Sequence, residues 1–171
     1  MAARAKVKTT KTGRRAPKGA PKSVPPRTQL DALIAKFDPA VARQARAALA
    51  AMRELVPGAV ELVYDNYNAL AIAFAAGERM RDVALSVAVY PRWVSVFFMN
   101  GPKLPDPHGL LTGGGTHVRH VRLIGPAMLR EAPLRALVAA CLARATVAID
   151  PKGKRRIVIR SISAKQRPRR T

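Results

Sequence analysis

Three histidines, one cysteine, a pair of carboxylates and a run of glycines are the residues of this chain whose types and spacing bear most directly on chemistry. His117 and His120 stand three apart in an alternating segment, which sends them to opposite faces of a strand and away from a shared metal. Asp106 and His108 share a Pro-rich loop, where Asp-Pro is turn chemistry as readily as half of a ligand set. Gly113-Gly114-Gly115-Thr116 has the composition of a phosphate cradle, but it feeds a strand, whereas a cradle presents its amides at a helix N-terminus. It reads as a hairpin loop. Cys141 falls on the apolar side of a helical segment and reads as a small buried hydrophobe, with no base placed beside it. Glu61 and Asp65, four apart on one strand face, form the one candidate acid/base pair, set against a plain salt-bridged reading. No residue is assigned a catalytic role, and neither metal ligands nor a cofactor are expected.

What is left is a binding set: Tyr64, Asn66, Tyr67, Asn68, Trp93, Lys103 and Arg119. Aromatics and amides at the margin of a sheet line a shallow pocket of mixed polarity, suited to a small molecule or a protein. Arg119 shares strand parity with Val121 and Leu123, which turns it toward an apolar face where a charge needs a partner. Glu61 is the expected partner, in a structural ion pair.

Charge is the compositional outlier, at +21 over 171 residues. It is unevenly placed. Of the 31 Lys and Arg, nine lie in residues 1–28 and nine in 151–171, both acid-free, and thirteen lie between them with all ten acids. A nearly neutral domain is thus flanked by two basic segments. Residues 1–28 have almost no large apolar side chains, so the segment cannot recover its ordering entropy and is predicted to be disordered. Its nine cations favour weak, sequence-indifferent association with DNA or RNA through counterion release. The core supplies no helix-turn-helix, zinc finger or RNA-binding aromatic motif that would read sequence. A single cysteine fits a reducing cytoplasm, and no apolar run is long enough to span a membrane. The prolines and lysines of the N-terminus argue against a transit peptide.

The elements that must position these residues follow from periodicity. Leu30, Leu33, Ile34 and Phe37 make a short amphipathic turn or helix. Asp38-Pro39 opens a longer helix carrying Val41, Ala45, Ala48, Leu49 and Met52 on one side, and Pro57-Gly58 ends it. The period then changes to two. Val60 to Asp65 is a strand; Leu70, Ile72 and Phe74 alternate with alanines; Val83, Leu85, Val87 and Val89 alternate with Ala84, Ser86, Ala88 and Tyr90. Trp93 to Ile124 reads as two strands around a long Pro- and Gly-rich loop. Pro133 opens a last helix, and Arg156 to Ser163 reads as a basic edge strand. The sheet therefore has one bulky face, suited to helices, and one Ala/Ser face left shallow and open; small side chains also permit close helix approach, so the reverse assignment stands beside it.

The runs Pro57-Gly58-Ala59-Val60-Glu61-Leu62-Val63-Tyr64, Leu104-Pro105-Asp106-Pro107-His108-Gly109-Leu110-Leu111-Thr112-Gly113 and Val118-Arg119-His120-Val121-Arg122-Leu123 resemble, in order, motifs of the YdhG-like bacterial family, a domain of unknown function. The closing Arg160-Ser161-Ile162-Ser163-Ala164-Lys165-Gln166-Arg167-Pro168-Arg169-Arg170 is similar to the C-terminal signature of one branch. The resemblance covers roughly residues 30 to 170. It implies a two-layer α+β domain, an antiparallel sheet with helices from both ends of the domain. One branch is frataxin-like and implies an intracellular iron chaperone; this chain departs from it, having Tyr64-Asp65-Asn66-Tyr67-Asn68 in place of a Tyr-Gly-Met-Pro turn and no acidic ridge.

The expected organisation is a disordered basic tail over 1–28, a YdhG-like α+β domain over 29–163 and a basic C-terminal tail over 164–171. The expected function is non-enzymatic binding of a ligand or partner on the open sheet face. Iron handling, and a small enzyme using Glu61 or Asp65 as base, are the alternatives.

Overall fold

The computed structural model describes residues 24–170. Most of the N-terminal basic segment lies outside the described residues. Its last part does not behave as a tail: Pro26 opens the first helix, α1 (Pro26–Ile34), with proline in the first turn where its missing N–H costs nothing. Helix α2 (Pro39–Leu55) follows from an Asp38-Pro39 start, although Asp38 makes no side-chain cap bond. Helix α3 (Ala132–Ala143) begins beside Pro133. Gly58, at φ 76°, lies so close to the Asp150 carbonyl that a Cβ would clash, which fixes the turn out of α2.

Six strands form one sheet: β1 (Val60–Asp65), β2 (Leu70–Ala75), β3 (Val83–Val89), β4 (Val94–Met99), β5 (Val118–Leu123) and β6 (Arg156–Ile162), in the order β5-β4-β3-β2-β1-β6. The first five make an antiparallel meander. The last strand departs from the all-antiparallel expectation. It takes the edge as its basic composition requires, yet pairs parallel to β1, making the sheet mixed. Between β5 and β6 the chain crosses from one edge of the sheet to the other, through α3, and a crossover of that length permits parallel pairing where a tight turn would not.

Bulky and small faces divide as alternation demands. Leu70, Ile72, Phe74, Leu85, Val87, Val94, Val96, Phe98 and Val121 join one buried cluster with the helices. The second cluster is built from strand residues alone, with Val60, Leu62, Ala73, Ala75 and Val83 packed beside Tyr64, Met99 and Val158. All three helices therefore cover the bulky face, and the Ala/Ser face carries no described helix. Two residues break their expected parity. A register shift between Phe74 and Ala75 turns Val83 to the outer face, away from Leu85. A second shift, between Val63 and Tyr64, returns Ile162 to the side of Ile157 and Ile159, opposite Asp65, yet at the end of the strand Ile162 stays more than half exposed.

The closing segment is a further correction. Residues 164–170 are not a free tail: Ser163 and Arg167 donate backbone N–H bonds to the Asp65 and Tyr67 carbonyls, at 2.8 and 2.9 Å, and Arg169 is buried. The described residues contain no helix long and apolar enough to cross a membrane.

Candidate functional site

Alternation places Tyr64, Ala71, Ala88, Ser95 and Arg122 in one row across the outer face, each paired in register with the next from β1 to β5. The neighbouring row is Leu62, Ala73, Ser86, Phe97 and His120. The floor over β2 and β3 is thus all Ala and Ser. Larger side chains stand on either side, Tyr64 on β1 and the Phe97–His120 pair on β4 and β5, whose rings stack at 5.0 Å and 22°. Thr112 Oγ1 meets His120 Nε2 at 3.1 Å and holds the imidazole against that wall. Ser95 Oγ, next to Arg122 in the first row, is buried with no hydrogen-bond partner.

Beyond the first row, past the ends of β3 and β4 next to Ala88 and Ser95, the β3–β4 turn, Tyr90-Pro91-Arg92-Trp93, closes through a 2.9 Å bond from the Tyr90 N–H to the Trp93 carbonyl. Pro91 sets the bend, and the two flanking rings stack at 5.0 Å and 21°. The Arg122 guanidinium lies 4.9 Å from the centre of the Trp93 ring. Burial pushes the Tyr90 phenol pKa up, so that it remains a neutral donor. The C-terminal segment comes alongside this turn and completes a cleft of about 450 Å³ lined by Asn68, Tyr90, Arg92, Trp93, Arg167 and Arg170 together with two prolines. No carboxylate, cysteine or histidine lines it. Three arginines, with Arg122 beside them, make it an electropositive, aromatic-walled recess.

Two of the seven expected binding residues, Asn68 and Trp93, line this cleft. Tyr64 stands on the adjoining wall. Asn66 and Tyr67 contribute carbonyls, which accept from Arg169 Nη2 and from the Arg167 N–H and so dock the C-terminal segment. Lys103 and Arg119 do not join the group. They lie at the other end of β4, Arg119 on β5 opposite Phe98 and Lys103 in the turn that follows β4, roughly 15–20 Å away at the rise of an extended strand. Tyr90, Arg92, Arg122, Arg167 and Arg170 went unrecognised in the sequence. The Tyr90-Pro91-Arg92-Trp93 turn carried a local signal; the last two residues belong to a stretch that reads as tail.

The expected Glu61–Arg119 ion pair is not formed. β2, β3 and β4 separate the two strands, and Arg119 Nη1 instead donates to the Gly115 and Val118 carbonyls. Glu61 faces α2, where Arg53 grips it in a two-pronged bond of 2.8 and 2.7 Å. That hydrogen bond holds the Arg53 pKa above its ordinary value. Asp65 is equally engaged: Arg169 Nη2 at 2.7 Å, the Gln166 amide, and Lys36 Nζ at 3.5 Å surround it. Arg169 also lies 5.2 Å from the Phe37 ring centre. Glu61 and Asp65 do share a face, as their spacing predicts, but it is the buried one, and both act as structural counter-ions.

The remaining candidates are occupied locally. Both carboxylate oxygens of Asp106 accept backbone N–H bonds, from Leu110 at 2.9 Å and Leu111 at 2.8 Å, so the residue shapes its loop. The Cys141 thiol packs on the sheet, 3.2 Å from the Ala84 carbonyl, and burial raises its pKa to about 11. Among the described residues no three His, Cys, Asp or Glu side chains converge. Compared with family profiles, curated proteins and solved structures, the chain matches none of them.

Proposed function

We propose that the protein is a non-enzymatic binding protein whose cleft receives a phosphate-bearing polyanion. The observation that carries this reading is the lining itself: three arginines from two separate segments, an aromatic pair and no acid around one recess. Arginine matches phosphate oxygens with a planar fork of donors, and neighbouring ring faces offer a surface for whatever the phosphate is attached to. No nucleophile or uncommitted base stands at the cleft, and the two buried carboxylates are held by cations. That weighs against the readings in which Glu61 or Asp65 is a base or an iron ligand. Kinship with the YdhG-like family belongs to the same proposal and rests on the sequence motifs.

Trp93 is the only tryptophan, so its emission reports directly on the cleft. Titration with inorganic triphosphate at low salt should change that emission saturably, and Arg92→Ser with Arg167→Ser should weaken binding at least tenfold. No saturable change at millimolar triphosphate, or unchanged affinity in the double variant, overturns the reading.

A further inference from the structure

The cleft is one end of a larger surface. We infer that the outer face of the sheet binds single-stranded nucleic acid, with a phosphate group in the arginine cleft and bases laid over the Ala/Ser floor toward Phe97 and His120. The inference rests on the polyanion reading of the cleft and names the ligand class.

Three observations converge on it. The floor residues Ala71, Ala73, Ser86, Ala88 and Ser95 are small; Ala73, Ala88 and Ser95 are buried, while Ala71 and Ser86 are part-exposed and are where a flat ring can lie on the sheet between taller walls. Those walls are aromatic, with Tyr64 on one side, the Phe97–His120 stack on the other, and Tyr90–Trp93 at the head, all half-buried and each presenting some ring to solvent. Base stacking on such rings is sequence-tolerant and contributes most where the backbone is also neutralised.

Charge completes the match. None of the outward-facing positions in the two rows is Asp or Glu. Cations rim the face instead: Arg122 on β5, Arg92 in the turn, Arg167 and Arg170 from the C-terminal segment. From β1 to β5 the face spans four strand spacings, roughly 19 Å, enough for about three or four nucleotides. A duplex cannot use this surface in the same way, because its bases are already stacked and their faces hidden. An apolar protein partner would use the floor and walls but leave the arginine rim without counter-charge.

The test uses the full chain and a fluorescent twelve-nucleotide oligothymidylate, read by anisotropy and by Trp93 emission at low salt. A duplex of equal length and inorganic triphosphate serve as comparison ligands. We expect the single strand to bind at least fivefold tighter than the duplex and to quench Trp93. Phe97→Ser and Tyr64→Ser should each weaken it roughly tenfold, while triphosphate binding stays unchanged. Ser86→Glu, at a partly exposed floor position, should do the same without removing a core side chain, which guards against loss of fold in the aromatic variants. Equal affinity for single strand and duplex, or wild-type oligonucleotide binding in Ser86→Glu together with the aromatic variants, overturns the inference and leaves the cleft reading standing. Failure of triphosphate and oligonucleotide alike overturns both.

Discussion

Glu61 and Asp65 show how a residue's partner decides its meaning. Both are buried carboxylates on one face of β1, and a carboxylate without water needs a cation with good geometry. Arg53 meets that need for Glu61 with two hydrogen bonds, and Arg169 meets it for Asp65 with one, leaving Arg169 Nε and Nη1 buried without partners. Cys141 is the opposite case, a group kept neutral by its surroundings. Its pKa stands at about 11 when folded, against an ordinary 9.0, because burial disfavours the thiolate. The unfolded chain therefore releases this proton first as pH rises. The stability tied to the thiol is complete below pH 9.0 and is lost as pH approaches about 11, roughly 2–3 kcal/mol in all. Chemical denaturation of wild type and Cys141→Ala across that range should show wild type losing this amount relative to the variant. A constant difference would mean the thiol titrates alike in both states. The same burial should keep Cys141 unreactive toward alkylating agents at neutral pH.

At the scale of elements, the segment after β6 is the one most at odds with its composition. Acid-free and carrying Lys165, Arg167, Arg169 and Arg170, it has the charge of a solvated tail, yet it continues along β1 through Ser163 and Arg167 and delivers a guanidinium to Asp65. It also builds one wall of the cleft. Deleting residues 166–171 removes Arg169 and the Gln166 amide, leaving Asp65 buried with only Lys36 at 3.5 Å. Breaking a buried pair from one side costs about 3–5 kcal/mol, so the deletion should lower Tm by roughly 6–20 °C. The double substitution Asp65→Asn with Arg169→Met, which leaves no unpaired charge, should cost less than the deletion. Identical melting curves for the deleted and full chains would show that Arg169 contributes nothing. β6 itself is protected as an exposed edge by Arg156 and Arg160, which Glu78 holds at 2.9 and 3.4 Å.

Over the whole molecule, the net charge of +21 acquires a direction once the acids are located. The outer rows of the sheet are acid-free, while the two buried acids on β1 point the other way, into arginines. An anionic polymer drawn to the protein thus meets cations around the cleft and eight more within residues 1–23. Each cation that reaches a phosphate of a single strand adds about −0.7 to the slope of log K against log salt. Full-length protein with oligothymidylate should therefore give a steeper slope than a chain lacking residues 1–23, by roughly 2 to 5 if three to seven tail cations engage. The shortened chain should retain the Trp93 quench. A slope indifferent to the deletion would place all of the electrostatic contact on residues 24–170.

The sequence by itself determined the elements and their faces. Periods of 3.6 and 2 are local properties, so α2, α3 and the five-strand meander were legible from spacing, as was the division into a bulky and a small face, but not which of the two the helices cover. Pro39, Pro57-Gly58 and Pro133 marked helix ends because proline and glycine act on their own backbone. What only the tertiary structure decided is every relation that depends on which distant segments meet. The parallel direction of β6 leaves no mark in alternation, which is the same read either way along the chain. One-residue bulges flipped Val83 and Ile162 without any change in residue type. Arg53 rather than Arg119 reached Glu61 because it stands in the last turn of α2, just before the Pro57-Gly58 turn that leads into β1, while three strands separate β1 from β5. The cleft has the same origin: Trp93 and Arg167 are far apart in sequence, and the docking of the C-terminal segment beside the β3–β4 turn makes one recess of them.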